Sequence, residues 1–127
     1  MDRITSRSGG EVIDREIKFR CWNTYSKIMH DWNELVEKNK IHLLAYPRSS
    51  YPVMQFIGMK DCNGVDIYEG DTCLIIDSDF DEIYTVKYND SQCKFILVDF
   101  ADRNCGDMDD YEIRVIGNVY QNPELIK

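Results

Sequence analysis

Apolar and polar residues alternate through most of the chain in short runs. Over Ile17–Trp22, Ile17, Phe19 and Cys21 fall on one face and Lys18 and Arg20 on the other, the period of a half-buried strand. Asn23-Thr24 then turns the chain. Helical spacing occurs once, at Asp31–Lys38. Trp32, Leu35 and Val36 share a face there, and Asn33, Glu37 and Lys38 can face water. Asp31 is its N-cap, Glu34 completes an Asp-x-x-Glu capping box, and Asn39 is its stop. So short a helix depends on tertiary packing rather than propensity. His30, beside its start, reads as a surface residue. Ile41–Tyr46 reads as a strand or an extended link, and Pro47 to Pro52 as a loop.

From Val53 onward the period is that of strands. Val53–Met59 and Val65–Tyr68 flank the turn Asp61-Cys62-Asn63-Gly64. Asn63-Gly64 predicts a type I′ hairpin, whose two central residues both take positive φ. Glu69-Gly70-Asp71 is a second bend, followed by strands at Thr72–Ile76, Ile83–Tyr88 and Lys94–Phe100. Asp77–Glu82 and Ala101–Asp110 read as acidic loops, and Tyr111–Tyr120 as a last strand interrupted at Gly117-Asn118. Short strands joined by tight turns, with one short N-terminal helix, predict a mainly β (α+β) fold: a small SH3-like antiparallel barrel or roll.

Length adds the domain count. With 127 residues the chain fits one domain that can bury roughly two-thirds of its unfolded surface. Residues 1–15 are polar and contain Ser6-Arg7-Ser8-Gly9-Gly10, so they read as a flexible leader. Residues 16–127 read as the domain, with a helix-containing part over 16–52 and a β-barrel part over 53–127. The longest apolar run, Cys73–Ile76, is far below the ~20 residues of a membrane helix, and Met1–Glu16 has no apolar h-region. A cytoplasmic protein without membrane contact is expected. Cys21, Cys62, Cys73, Cys93 and Cys105 are odd in number and lack a C-x-x-C pair, which fits reduced thiols rather than a disulfide framework or a zinc site.

Charge divides the chain unevenly. Residues 1–60 carry 7 acids and 10 bases, residues 61–112 carry 15 acids and 3 bases, and residues 113–127 carry 1 acid and 2 bases, within a net charge of −8. The central segment is therefore a poor phosphate binder. Its acids read either as a solvated face or as a surface for a basic partner. The candidate interaction residues are Asp77, Asp79, Asp81, Glu82, Asp107, Asp109 and Asp110, joined by Tyr25, Tyr46 and Tyr51 from less regular segments.

Catalytic signatures are sparse. Asp61-x-Asn63-Gly64-x-Asp66-x-x-Glu69 hints at a calcium loop, but Gly64 stands fourth where an EF-hand needs its glycine sixth. The chain has no G-x-S-x-G elbow, no phosphate-cradling G-x-x-x-x-G-K-[ST] and no G-x-G-x-x-G. No catalytic, cofactor-binding or metal residues are assigned, and no cofactor is expected.

Three ordered segments carry a family resemblance. Ile17-Lys18-Phe19-Arg20-Cys21-Trp22-Asn23 resembles the opening I-K-F-R-x-W of the YopX family of phage and prophage proteins. Met54–Asp71 resembles its long central signature, and Val115–Leu125 its closing I-G-N-x-Y-x-N-P-E-L. Ile57 and Cys62 depart from it mildly, where Thr and Lys are common. The resemblance implies a phage or prophage origin and a C-terminal SH3-like barrel, and it carries no reaction. The expected function is thus a non-enzymatic protein-interaction module that binds a host or phage protein or a further copy of itself. Two alternatives stand beside it. One is an acidic nucleic-acid mimic. The other is a weak nucleic-acid or nucleotide binder using Arg15, Lys18, Arg20, Lys27 and Arg48, which the overall charge disfavours.

Overall fold

The computed structural model describes residues 15–76 and 82–126. Residues 1–14 of the expected leader lie outside them. Among the described residues nine strands form two antiparallel sheets that curl into a half-barrel, the mainly β barrel-or-roll architecture the periodicity predicts. The first sheet comprises β1 (Phe19–Asn23), β2 (Ile28–His30), β3 (Val53–Lys60) and β4 (Asp66–Tyr68), in the order β2-β1-β3-β4. The second comprises β5 (Asp71–Ile75), β6 (Ile83–Asn89), β7 (Lys94–Val98), β8 (Asn104–Asp107) and β9 (Ile113–Asn118), in the order β8-β7-β6-β5-β9. The helix α1 (Trp32–Glu37) follows β2.

The two sheets pack around two main apolar clusters. Ile67, Cys73, Val86, Leu97, Met108 and Ile113 form the larger core, and Trp22, Met54, Phe56 and Tyr68 the second. Strand β3 serves both: Met54 and Phe56 belong to the second cluster, while Ile57 and Met59 pack against the first. A third cluster, Cys21, Leu35 and Leu43, seats α1 on the back of β1. That places β1 between two apolar layers, so Trp22 is buried as well as Cys21, and the expected open face is covered.

Several local expectations need correction. His30 is not a surface residue: it is 7% exposed, and its Nδ1 lies 2.7 Å from the Glu34 carboxylate. Glu34 therefore supplies only half of the capping box. Its N–H donates to Asp31 Oδ1, while its carboxylate turns to His30 and Lys40. Ile41–Ala45 is a 3-10 turn rather than a strand. Residues 104–107 of the expected acidic loop form β8, because Ile96 and Val98 of β7 still had an unpaired edge.

The turns follow a shared physical scheme. An Asn or Asp side chain at the strand end accepts backbone N–H groups of the turn, and a left-handed residue closes it. Asn23 Oδ1 accepts from Tyr25 and Ser26, and Lys27 closes at φ +62°. Asp61 Oδ1 accepts from Asn63 and Val65, and Gly64 closes at φ +81°. Asn63 is not left-handed, so this is not the type I′ turn that Asn-Gly predicts. Asn89 Oδ1 accepts from Gln92, with Cys93 at φ +55°. Asp99 Oδ1 accepts from Ala101 and Arg103, with Asp102 at φ +63°. A side chain in the left-handed region costs ~1–2 kcal/mol. Cys93→Gly removes that cost and adds back part of it as unfolded-chain entropy, so its melting temperature should rise by roughly 2–4 °C. A fall in calorimetry would mean that the thiol's contact with the Asp90 carbonyl outweighs the backbone cost.

Candidate functional site

The first sheet meets the second around Gly70 and Asp71, and all three resemblance-bearing segments converge there. Asp71 is only 2% exposed. Its Oδ1 accepts from Arg20 Nη2 and its Oδ2 from the Tyr68 N–H, both at 2.7 Å. The Arg20 guanidinium also lies 4.6 Å over the Tyr68 ring, and its Nε points at Met54 Sδ. Burial pushes the Asp71 carboxyl above the ordinary carboxylate value, against the opposing pull of Arg20 and the Tyr68 N–H. Next to it Gly70 stands at φ +88°, with Met54 Sδ 3.4 Å from where a Cβ would lie. Its N–H donates to Val86 and its carbonyl accepts from Val119.

The closing segment completes the joint. Tyr120 stacks on Trp22 with ring centroids 6.1 Å apart. Asn118, paired with Asp71 across β5 and β9, accepts from the N–H groups of Tyr120 and Gln121 through its side chain. Asn122 Oδ1 accepts from the Asn118 N–H, and a Cβ on Gly117 would stand 2.6 Å from that oxygen. The Gly-Asn of the closing motif is thus a matter of space and capping. A second tie lies at Asp61, whose Oδ2 accepts from Val115 N–H on the outer edge of β9. The Cys62 N–H donates to the Ile113 carbonyl on the same edge.

A cleft of about 1030 Å³ opens between the two sheets. Phe56, Ile57, Met59, Tyr88, Phe95 and Met108 give it an apolar lining. Tyr88 and Phe95 face each other across β6 and β7 in an edge-on pair at 5.2 Å. Its rim holds Glu16, Glu69, Asp107 and Asp109 against Arg15 and Lys94, and Lys94 already pairs with Asp107.

The residues singled out from the sequence have different fates. Asp77, Asp79 and Asp81 lie outside the described residues. Glu82 is exposed and accepts from the Tyr84 hydroxyl at 3.1 Å. Asp107 and Asp109 meet at the cleft, whereas Asp110 lines two smaller hollows with Tyr111 and Glu112, one of which Asp109 also reaches. Tyr46 and Tyr51 do come together, edge-on at 5.1 Å, but Tyr51 is half-buried and its hydroxyl accepts from Asn23 Nδ2. Tyr25 is 81% exposed on the β1–β2 turn. Of the basic set, Lys18 pairs with Asp66, Arg20 with Asp71, and Arg48 Nη1 donates to the Leu44 and Tyr46 carbonyls, leaving Arg15 and Lys27 as its exposed members without such a contact among the described residues. Phe56, Tyr88 and Phe95 belong to an aromatic set whose strand spacing suits either a groove or a core, and that they share one cleft with Ile57, Met59 and Met108 shows only once β3, β6 and β7 face one another.

Much of the acidic segment is paired internally. Lys18 and Lys60 both reach Asp66, and Lys87 and Arg103 reach Asp102 and Asp99. Despite the opposing effect of burial, the two lysines hold Asp66 below the usual carboxylate range. The five cysteines are free, and burial pushes Cys73 up to about 12, so its thiol is inert at neutral pH. Among the described residues no group of three or more His, Cys, Asp or Glu side chains is placed to hold a metal ion. No helix among them is long and apolar enough to cross a membrane.

This is a small β half-barrel whose signature segments close on one buried joint. The family model described as YopX protein matches residues 18–127, and the chain belongs to the YopX family. The fold is similar to that in the crystal structure of protein EF1440 from Enterococcus faecalis, with a TM-score of 0.58 and 23% sequence identity over 90% of this chain and 100% of that one. No curated protein matches the chain.

Proposed function

We propose that this protein is a non-enzymatic interaction module that holds an extended segment of another protein in the cleft between its sheets. The observation that carries the reading is the cleft itself: apolar side chains of β3, β6 and β7 under a rim with more acids than bases, in a chain of net charge −8. Apolar pockets supply affinity and rim charge supplies selection and rate. The partner is accordingly an extended segment in which apolar residues alternate with Lys or Arg. The internal pairing of Asp66 and Asp71, with Asp99 held in its own turn, favours this reading over an acidic nucleic-acid mimic, since those carboxylates are spent inside the fold.

An arrayed library of short peptides, alternating apolar residues with either Lys or Glu, tests it by fluorescence anisotropy. The Lys set should bind at least ~10-fold more tightly than the Glu set, and more weakly as salt rises. Tyr88→Ala, at an exposed residue of the lining, should weaken that binding at least ~10-fold with the fold intact. Equal binding of both sets, or none, would contradict the reading.

A further inference from the structure

Strand β1 does not use the whole length of β3. Their pairing runs from Cys21 opposite Val53 to Phe19 opposite Gln55, and just beyond it the Phe56 N–H donates to the Lys18 carbonyl. β3 continues for four more residues, 57–60. The chain upstream of β1 keeps alongside them without entering a strand. Arg15, Glu16 and Ile17 line the same cleft as Ile57, Gly58 and Met59. Ile17 is 53% exposed there, and a Cβ on Gly58 would meet nothing within 4 Å. An exposed apolar side chain and an open stretch of strand thus lie together in the site proposed for a partner's segment.

The register says what would cover it. Continued upstream, the same pairing sets Ile17 opposite Ile57, Glu16 opposite Gly58, Arg15 opposite Met59 and Asp14 opposite Lys60. Four residues of extended chain span ~13 Å, which is the length of β3 left over. Cross-strand neighbours share a face, so Ile17 and Arg15 fall on the side of Ile57 and Met59, and Ile13 follows on that side. Ile13, Arg15 and Ile17 therefore alternate apolar, basic and apolar along one face, the character expected of the segment the cleft selects. The charges agree. Arg15 stands at a rim that also holds Glu69 and Asp109. Asp14 falls opposite Lys60, and unlike charges directly across a strand pair attract. A segment tethered this closely competes at an effective concentration on the order of millimolar.

We infer that residues 13–17 are a strap that closes along β3 and fills the cleft when no partner is bound, so that a partner's segment has to displace it. The inference rests on the proposed function in taking the cleft as a seat for extended chain, and it adds the occupant of the unbound state.

Methyl-labelled full chain without any peptide gives the first test. Nuclear Overhauser contacts should join the Ile13 methyl groups to Ile57, Met59 or Phe95 within one chain. The second test uses Ile13→Ser, which leaves every charge in place. In fluorescence anisotropy with the Lys peptide set, this variant should bind at least ~3-fold more tightly than wild type, because a larger fraction of the chains has an open cleft. The two readings fail separately. If no peptide binds but the Ile13 contacts are seen, the partner-segment reading falls and the strap stands. Three results would each overturn the strap: no contacts from Ile13 to the cleft, contacts only between differently labelled chains, or equal peptide affinity for wild type and Ile13→Ser.

Discussion

Arg20→Ala should cost about 3–5 kcal/mol of folding stability, because it leaves the Asp71 carboxylate buried without its counter-charge. Urea unfolding with an unchanged slope is the measurement. Asp71→Ala should cost about as much, and for a further reason, since it also strands the Tyr68 N–H that Asp71 Oδ2 accepts. The same pair has a pH signature. Burial raises the folded-state pKa of Asp71, so between the ordinary carboxylate value and that raised value the folded chain holds a proton that the unfolded chain has lost. Its contribution to stability is therefore complete below the ordinary carboxylate value and declines as pH rises through the window. In Asp71→Asn the decline should vanish, and the difference between wild type and variant should shrink from acid toward neutral pH. A difference that grows over that range would show that Arg20 outweighs desolvation.

Asp61→Ala should be the other large effect, at about 2–4 kcal/mol, since three backbone N–H groups share this one carboxylate. Two of them organise the β3–β4 turn, and the third, from Val115, ties that turn to the edge of β9. Asp61→Asn should rescue only the turn, because its side-chain nitrogen cannot accept. Here the pH dependence has the opposite sign. Burial works against ionisation, but the N–H groups of Val115, Val65 and Asn63 prevail and hold the carboxyl below its usual value. Its stabilisation is present above the ordinary carboxylate value and fades as pH falls through the lower folded-state value. The alanine variant should lack that acid limb. Thermal melts on both sides of the ordinary carboxylate value would separate the two carboxylates, as the Asp71 window lies above that value and the Asp61 window below it. Parallel curves for wild type and Asp61→Ala would remove the tie.

The strands were legible where one face packs and the other does not. Val53–Met59, Thr72–Ile76, Ile83–Tyr88 and Lys94–Phe100 each mark a real strand to within a residue or two. The strand β2 was not legible, because Ile28-Met29-His30 has no alternation of its own. It exists through its pairing with β1 and through the His30–Glu34 contact. Turn chemistry was legible only in part. Gly64 announces a left-handed position, but Lys27, Cys93 and Asp102 occupy the same conformation with side chains that do not signal it. Their turns are held by Asn23, Asn89 and Asp99, whose partners are backbone groups a few residues away.

Charge misled for a related reason. Counted along the chain, the two halves look like a basic surface and an acidic one. Folded, Lys18 and Lys60 of the first meet Asp66 of the second within the first sheet, and Arg20 meets Asp71 across the seam between the sheets, so part of the asymmetry is internal pairing. The family signature was legible as three separate strings, and its physical meaning appears only when they meet. Arg20 and Trp22 come from the first, Tyr68, Gly70 and Asp71 from the second, and Gly117, Asn118 and Tyr120 from the third. These residues position one another, and the cleft lies beside the joint they make.

A double-mutant cycle between Arg20 and Asp71, read by equilibrium urea unfolding, tests this joint most directly. If the signature segments hold the sheets together through that pair, Arg20→Met with Asp71→Leu should be more stable than either single variant, with a coupling energy of at least about 1.5 kcal/mol. A coupling within about 0.5 kcal/mol of zero would mean that the two side chains act independently, and the joint would lose its central element.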